Sequence, residues 1–361
     1  VFTDHNTLAR SERWVDIDKA KSGRKAFDQL QKNWPDHVFS REKDGKTEVR
    51  LKTFPEVVDL VGIPEQFLLI QGEEVSDKFG KLPVHLCATN LQDAIPPLGG
   101  GSVAETIQHD VDALTAQRER TRQAMIIHLN HPNFGWGVTA EDLAQVRGEN
   151  FFEVYNGHPG VHNTGDATHA STERIWDIIN TLRLTELELP MMYGLATDDG
   201  HSYHKIPSRA SEPGRGWVMV LADRLSNDAL IAALEAGRFY SSSGVFLDEV
   251  TVDKTSMALA IRGEPGVTYR TEFIGTRKDF DRTATPMQDA EGKDLPVTKR
   301  YSADVGAVLA TSDSLTPSYT FKGDELYVRA RVLSSRKHPN PSEMEDLESA
   351  WIQPARGPAA E

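Results

Sequence analysis

From Val1 to about Ser243, short apolar runs alternate with amphipathic segments, a pattern that predicts an α/β architecture. Strands are expected at Val1–Thr3, Phe67–Ile70, Val84–Ala88, Ala124–His128, Phe151–Tyr155, Met191–Ala196 and Trp217–Leu221. Between them, Val103, Ile107, Val111 and Leu114 recur at helical spacing behind the capping sequence Ser102-x-x-Glu105. Ile175, Ile178, Ile179 and Leu182 mark a second helix. Ser226 and Gly237 read as the start and stop signals of a third. The charged stretch from about 11 to 64 is long for a connection and is expected to be a helical insertion in a first domain covering 1–245. After Gly244 the helical period disappears. Val250, Val252, Leu259, Ile261, Phe273, Ile274, Val328 and Val332 fall in short alternating stretches separated by turns, so 246–361 is expected to form a small all-β, sandwich-like domain.

Composition narrows the function. The 361 residues carry 54 acidic and 40 basic side chains, a formal charge of −14, which argues against a nucleic-acid partner bound through a broad basic face. A single cysteine, Cys87, excludes an internal disulfide framework and multi-cysteine metal sites. No apolar run approaches the ~20 residues of a membrane span, so no membrane partner is expected. Gly-rich phosphate loops and a Gly-x-Ser-x-Gly elbow are missing from the sequence. The expected partner is a small-molecule substrate. Compartment and oligomeric state are not encoded in any recognisable signal.

Histidine is what stands out. Nine of the twelve lie between His85 and His204. Metal-type side chains follow the expected strands: His5 after the first, Glu73 and Glu74 after the second, His131 after Ala124–His128, and Asp199 and His201 after Met191–Ala196. Groups at the carboxyl ends of strands in an α/β barrel converge on one rim. Adjacent Glu73 and Glu74 point to opposite faces of an extended chain, so only one can face such a site. His85, inside an apolar run, reads equally as a core histidine or a ligand, and Asp199-x-His201 as an Asx-turn or a ligand pair. Imidazole mixed with carboxylate suits Zn, Mn or Fe, whereas Mg or Ca sites use oxygens almost alone. Such an ion cluster supplies hydroxide near neutral pH and stabilises charge on a phosphoryl or carbonyl oxygen.

The motifs Phe2-Thr3-Asp4-His5-Asn6, Gly72-Glu73-Glu74-Val75, Val84-His85-Leu86, Asn130-His131-Pro132 and Thr197-Asp198-Asp199-Gly200-His201 resemble, in order and spacing, the polymerase and histidinol phosphatase (PHP) superfamily of metal-dependent hydrolases. Gly237–Gly244 and the β-rich tail are similar to its carbaryl-hydrolase-like branch. The resemblance implies a distorted (β/α)7 barrel and two or three divalent metal ions. It makes His5, Glu74, His85, His131, Asp199 and His201 the metal ligands, with Glu74 bridging. His201 or a neighbouring histidine is expected as general acid. Arg215 is a candidate to hold an anionic substrate group, with Lys205 and Arg209 nearby, and Asn156 and His204 are candidates to orient substrate. The superfamily's leading His-x-His strand does not precede Val1, so the barrel is expected to lack its first strand and the chain to be a fragment. The expected activity is that of a metal-dependent phosphoesterase. The alternatives are a carboxyl- or carbamate-ester hydrolase of the same fold and a non-catalytic, degenerate binding module.

Overall fold

The computed structural model describes every residue except 21, 22, 149, 204, 205, 344 and 361. His204 and Lys205, two of the residues singled out above, lie outside the described residues.

The stretch 11–64 is mixed rather than helical. Strands β1 (Arg13–Asp16), β2 (Ser40–Lys43) and β3 (Lys46–Leu51) form an antiparallel sheet in the order β1–β3–β2, accompanied by helices α1 (Gly23–Asn33) and α2 (Phe54–Val61). Asp44 and Gly45 join β2 to β3 with φ of +51° and +71°, the two positive values that a type I′ hairpin needs. Asp-Gly is the usual sequence for that turn, and it overrides the helical reading of the charged residues around it.

Strands β4 (Gly72–Phe79), β5 (Leu82–Thr89), β6 (Ile126–Leu129), β7 (Phe151–Asn156) and β8 (Tyr193–Thr197) form one sheet in sequence order. Helix α3 (Val103–Thr121) joins β5 to β6, α4 (Ala140–Ala144) lies between β6 and β7, and α5 (Thr172–Thr185) joins β7 to β8. The expected (β/α)7 barrel is not what forms. Within this sheet only the β6–β7 and β7–β8 pairs are parallel, joined by helical crossovers, while β5 and β6 are antiparallel. Gly80, at φ +62°, and Lys81 turn β4 directly into β5, and a two-residue connection can only give an antiparallel pair. Phe67–Ile70, expected as a strand, precedes β4, so Glu73 and Glu74 lie within a strand instead of after one. The far edge of β4 meets residues 2–6 through two isolated parallel bridges, Phe2–Gln71 and His5–Glu74.

At the opposite edge no strand hydrogen-bonds to β8 among the described residues. The outward N–H and C=O of Gly194 are instead taken by the side-chain amide of Gln353, at 2.9 and 2.8 Å, with the Ser241 hydroxyl donating to the same carbonyl. An amide side chain thus does for one residue what a closing strand would do.

The strands that follow build a different layer. β9 (Trp217–Val220), α6 (Asn227–Glu235), β10 (Phe239–Ser242), β11 (Leu247–Val252), β12 (Ser256–Ile261), β13 (Tyr269–Arg277), β14 (Ala284–Thr285), β15 (Arg300–Tyr301), β16 (Ala307–Ser312), β17 (Ser318–Thr320), β18 (Glu325–Lys337) and β19 (Leu347–Arg356) complete the chain. A six-stranded antiparallel sheet, β16–β13–β18–β19–β10–β9, faces the three-stranded sheet β11–β12–β17 across Tyr240, Leu259, Ile261, Phe273, Tyr319, Val328 and Ile352. The larger sheet takes β9 and β10 from residues before 246. That pairing withholds them from the first sheet and leaves it open.

Period-two alternation gives the first sheet two unlike faces. Val75, Leu86, Ala88, Ile127, Leu129, Phe152 and Val154 pack against Ile107 and Val111 of α3 and Ile175, Trp176 and Ile179 of α5. The opposite face is layered. Ile126, Phe151 and Leu195 meet Ile231 and Phe239 in an apolar plug at one end, and the polar residues taken up below occupy the other.

Beneath β4, Asp110 of α3 is fully buried, and neither oxygen closes a hydrogen bond of good geometry. Burial first, then the charge of Asp77, pushes its carboxyl up to about 7, which the approaching Leu98 N–H only partly offsets. The folded state therefore holds this proton more tightly than the unfolded chain, and stability falls as pH rises from about 4 to about 7. Asp110→Asn is expected to remove that slope and to stabilise the protein by about 3 kcal/mol at pH 8, read from denaturant unfolding at pH 5 and pH 8. An unchanged slope in the variant would reassign the proton.

Candidate metal centre

The polar end of the open face collects its residues through strand register. Glu74 stands opposite Cys87 and Ser76 opposite His85 across β4 and β5, and Cys87 stands opposite His128 across β5 and β6. All five therefore project from the same face. Glu73, one residue away, turns to the other side, where it is buried and accepts the Ile95 N–H at 2.8 Å.

Glu74 is the hub. Its Oε1 lies 2.9 Å from His85 Nδ1, 3.1 Å from Asn130 Nδ2 and 3.5 Å from His131 Nε2, and its Oε2 lies 3.2 Å from His5 Nδ1. Burial raises the pKa of this carboxylate, but the hydrogen bonds of His131 and His85 and the charges of His5 and His85 outweigh it and hold the group ionised, below the ordinary carboxylate range. For His131 burial acts downward, and the carboxylates of Glu74, Glu153 and Asp199 more than reverse it. His5, Glu74 and His85 each offer a donor atom within 4.8 Å of the others, a spacing that fits one cation.

His201 approaches from the loop after β8. Its Nδ1 is 2.9 Å from the Asp199 carbonyl, which can only accept, so Nδ1 carries a proton and Nε2 is the nitrogen turned toward His5. The Ser76 hydroxyl, 2.5 Å from His5 Nδ1, donates to the Glu74 carbonyl, so His5 Nδ1 is the donor to it and His5 Nε2 is the nitrogen that faces His201. These two Nε2 atoms lie 3.5 Å apart. Two imidazole nitrogens bound about 2.0 Å from one tetrahedral zinc ion would lie about 3.3 Å apart. Each ring is also anchored through its other nitrogen, as metal-binding histidines are.

Asp199 is held against the same cluster, 3.2 Å from His201 Nδ1 and 3.4 Å from Asn156 Nδ2. Burial and the neighbouring carboxylates Glu153 and Glu74 push its pKa up. Three carboxylates thus converge where solvent is scarce, a field that favours a cation. Asp199 and His131 both have positive φ, +47° and +21°, at the ends of the segments leaving β8 and β6. Such backbone costs on the order of 1–3 kcal/mol per residue and turns both side chains back over the rim.

Glu153 is the residue sequence reasoning missed. Buried in β7, it accepts the His131 N–H at 2.7 Å, Asn156 Nδ2 at 2.8 Å and the Thr197 hydroxyl at 2.8 Å, with His128 Nε2 at 3.5 Å. Its oxygens are occupied by the fold, so it orients the ring of residues rather than offering a free ligand atom. The available signal was an acidic side chain inside the apolar strand Phe151-Phe152-Glu153-Val154. Asn156 is likewise buried and bonds Glu153 and Asp199 and, through Oδ1, the His158 N–H.

The structure brings together His5, Glu74, His85, His131, Asn156, Asp199 and His201. Arg215 stands apart. It is fully buried, with Nε and Nη2 on the Asn340 carbonyl and side chain, Nη1 on the Gly157 carbonyl and Nη2 on Glu212, all between 2.8 and 3.3 Å. Its guanidinium ties the loop after β8 to the β18–β19 connection and is closed to substrate. His109, on α3, bonds the Gly99 carbonyl, and His162 and His169 stack on Trp136, away from the hub. Cys87 is buried and its thiol, 3.1 Å from Asn130 Nδ2, is pushed well up by burial.

Arg215→Met leaves Glu212 charged and buried without its partner, so a loss of about 3–5 kcal/mol is expected in denaturant unfolding. Metal content of the folded fraction should not change, and a loss of metal there would return Arg215 to the site.

Comparison of the chain with family models, curated proteins and solved structures finds no match, so the functional reading rests on the geometry above.

Proposed function

We propose that the chain is a divalent-metal-dependent hydrolase of small-molecule esters. The observation that supports this best is the convergence of the Nε2 atoms of His5 and His201, 3.5 Å apart, beside the buried, ionised Glu74. The mixed nitrogen and oxygen donor set fits Zn, Mn or Fe better than Mg or Ca. His5, Glu74, His85 and His201 would hold one ion, and His131 and Asp199 offer further ligand atoms beside it. A divalent ion there supplies Lewis-acid polarisation of a substrate oxygen and acidifies a water molecule. The protein's own part is to fix the ligand atoms through Ser76, Asn130, Glu153, Asn156 and the Asp199 carbonyl, and to keep the buried Glu74 ionised. The ordered motifs that resemble the PHP superfamily support the same reading, although the fold they imply is replaced by an open, mixed sheet.

With Arg215 engaged in the fold, the sequence-based preference for an anionic substrate loses its main support. Phosphoesters and carboxyl or carbamate esters therefore stand as parallel arms of one test. Protein purified without chelator is expected to carry at least one Zn, Mn or Fe ion per chain by elemental analysis, and to hydrolyse p-nitrophenyl phosphate or p-nitrophenyl acetate. Chelation should abolish that activity and the same metal restore it. Asp199→Asn should lower kcat about 100-fold or more while leaving the melting temperature nearly unchanged, because it removes charge at the rim and no core volume. Protein that binds none of these ions when offered them would instead be a non-catalytic binding module.

A further inference from the structure

One histidine outside the hub is buried at the junction of the two layers. His338 directly follows β18, at the head of its connection to β19, and only 5% of it is exposed. Its backbone N–H donates to the Asp346 carbonyl at 2.9 Å, and its ring Nδ1 accepts the Asn340 backbone N–H at 3.0 Å. A backbone N–H can only donate, so this contact requires an unprotonated Nδ1. The turn so fixed is the one that meets Arg215. The Asn340 carbonyl takes Arg215 Nε at 3.0 Å and its side-chain oxygen takes Nη2 at 3.2 Å, while Arg215 Nη1 and Nη2 hold the Gly157 carbonyl and Glu212. Three charged groups face the imidazole: Glu348 of β19, Asp346 of the connection and Arg215 of the loop after β8. Both carboxylates have nearer partners, Glu348 in Arg336 at 2.7 Å and Asp346 in the Ser342 hydroxyl and the Glu343 N–H at 2.9 and 3.0 Å. Burial lowers the pKa of His338, and the pull of Glu348, Asp346 and the Asn340 backbone does not reverse it.

We propose that the run of contacts from His338 through Asn340 to Arg215 is an acid-released latch between the second layer and the loop that carries Asp199 and His201. A proton on Nδ1 sets two donors against each other at the Asn340 N–H and places an imidazolium beside the Arg215 guanidinium, so the closed turn holds only while the ring is neutral. On acidification the turn opens and Asn340 withdraws from Arg215. The loop after β8 then loses its tie to the β18–β19 connection but keeps its own bonds, those of the His201 and Ser202 N–H groups on the Ser211 carbonyl. Opening takes up one proton. The open population therefore rises about tenfold for each pH unit below about 6.5, until the lower pKa of the closed state is reached. The latch belongs to the fold alone and does not depend on the hydrolase reading.

The test is amide hydrogen exchange of the full chain at pH 7.0 and 5.5, corrected for the intrinsic pH dependence of exchange. Peptides over 211–217 and 338–343 are followed against β13 as the internal standard. In the wild type, protection of both peptides should fall about tenfold at pH 5.5 while that of β13 holds. His338→Asn, whose side-chain oxygen reaches the place of Nδ1 and accepts the Asn340 N–H at either pH, should keep both peptides protected at pH 5.5. His338→Ala, which lacks the acceptor, should expose both at pH 7.0 as well. If the Ala variant does not fold, the comparison of wild type with the Asn variant carries the test alone. Protection in the wild type that does not change with pH overturns the proposal, as does an equal loss at pH 5.5 in His338→Asn. So does a loss confined to 338–343, which would leave the loop after β8 uncoupled from the turn.

Discussion

A carboxylate withdrawn from water has to find positive charge or hydrogen-bond donors within a few ångströms, and at Glu74 it finds four side chains at once. An isolated buried charge costs several kcal/mol, so His5, His85, His131 and Asn130 are fixed by the need to offset Glu74 as much as by their own packing. Two further carboxylates, Glu153 and Asp199, lie close enough to raise the demand, and only Glu153 is fully answered by protein donors. The surplus of negative charge beside these imidazoles is what would favour a cation there over a merely polar core.

The rest of the architecture serves to keep that arrangement in register. One face of the sheet is committed to the core under α3 and α5, so a shift of β4 by one residue would bury Glu74 among Ile107 and Val111 and expose Val75. The apolar plug of Ile126, Phe151, Leu195, Ile231 and Phe239 closes the other end of the open face, leaving the polar end as the way in. The second layer is locked on by charge as well as by packing. Asp177 of α5 receives a bidentate pair from Arg329 at 2.8 and 2.7 Å and the Tyr327 hydroxyl at 2.8 Å, all of them buried. Arg215 fastens the His201 loop to the β18–β19 connection in the same manner. Because the loop bearing Asp199 and His201 is anchored to the second layer, that layer helps set the geometry of the centre.

Much of the centre was legible in the chain because metal-binding chemistry limits the residue types. His5, Glu74, His131, Asp199 and His201 stand out as imidazoles and carboxylates beside apolar runs, and the opposite orientations of Glu73 and Glu74 follow from the pleat alone. His85 was ambiguous, since an imidazole inside an apolar run is equally consistent with a core position. Arg215 was misread because a guanidinium in a Gly-rich turn looks the same whether its partner is a substrate or the carbonyl of a residue 125 positions away. Glu153 was overlooked for a related reason. A buried carboxylate is set by donors from three different strands or loops, which have no fixed spacing in sequence.

Local signals therefore determined the helices with their caps, the faces of the strands and the roster of chemically active side chains, because those depend on neighbours a few residues apart. Tertiary structure decided whether the first sheet would close. The tight turn at Gly80 made β4 and β5 antiparallel, and β10 paired with β19 and β9 with β10 rather than with β8, so the amide of Gln353 caps an edge that a barrel would have sealed with a strand. It also decided which cations and imidazoles reach the centre, since burial, pairing and protonation are properties of a place in space shared by segments that the chain keeps far apart.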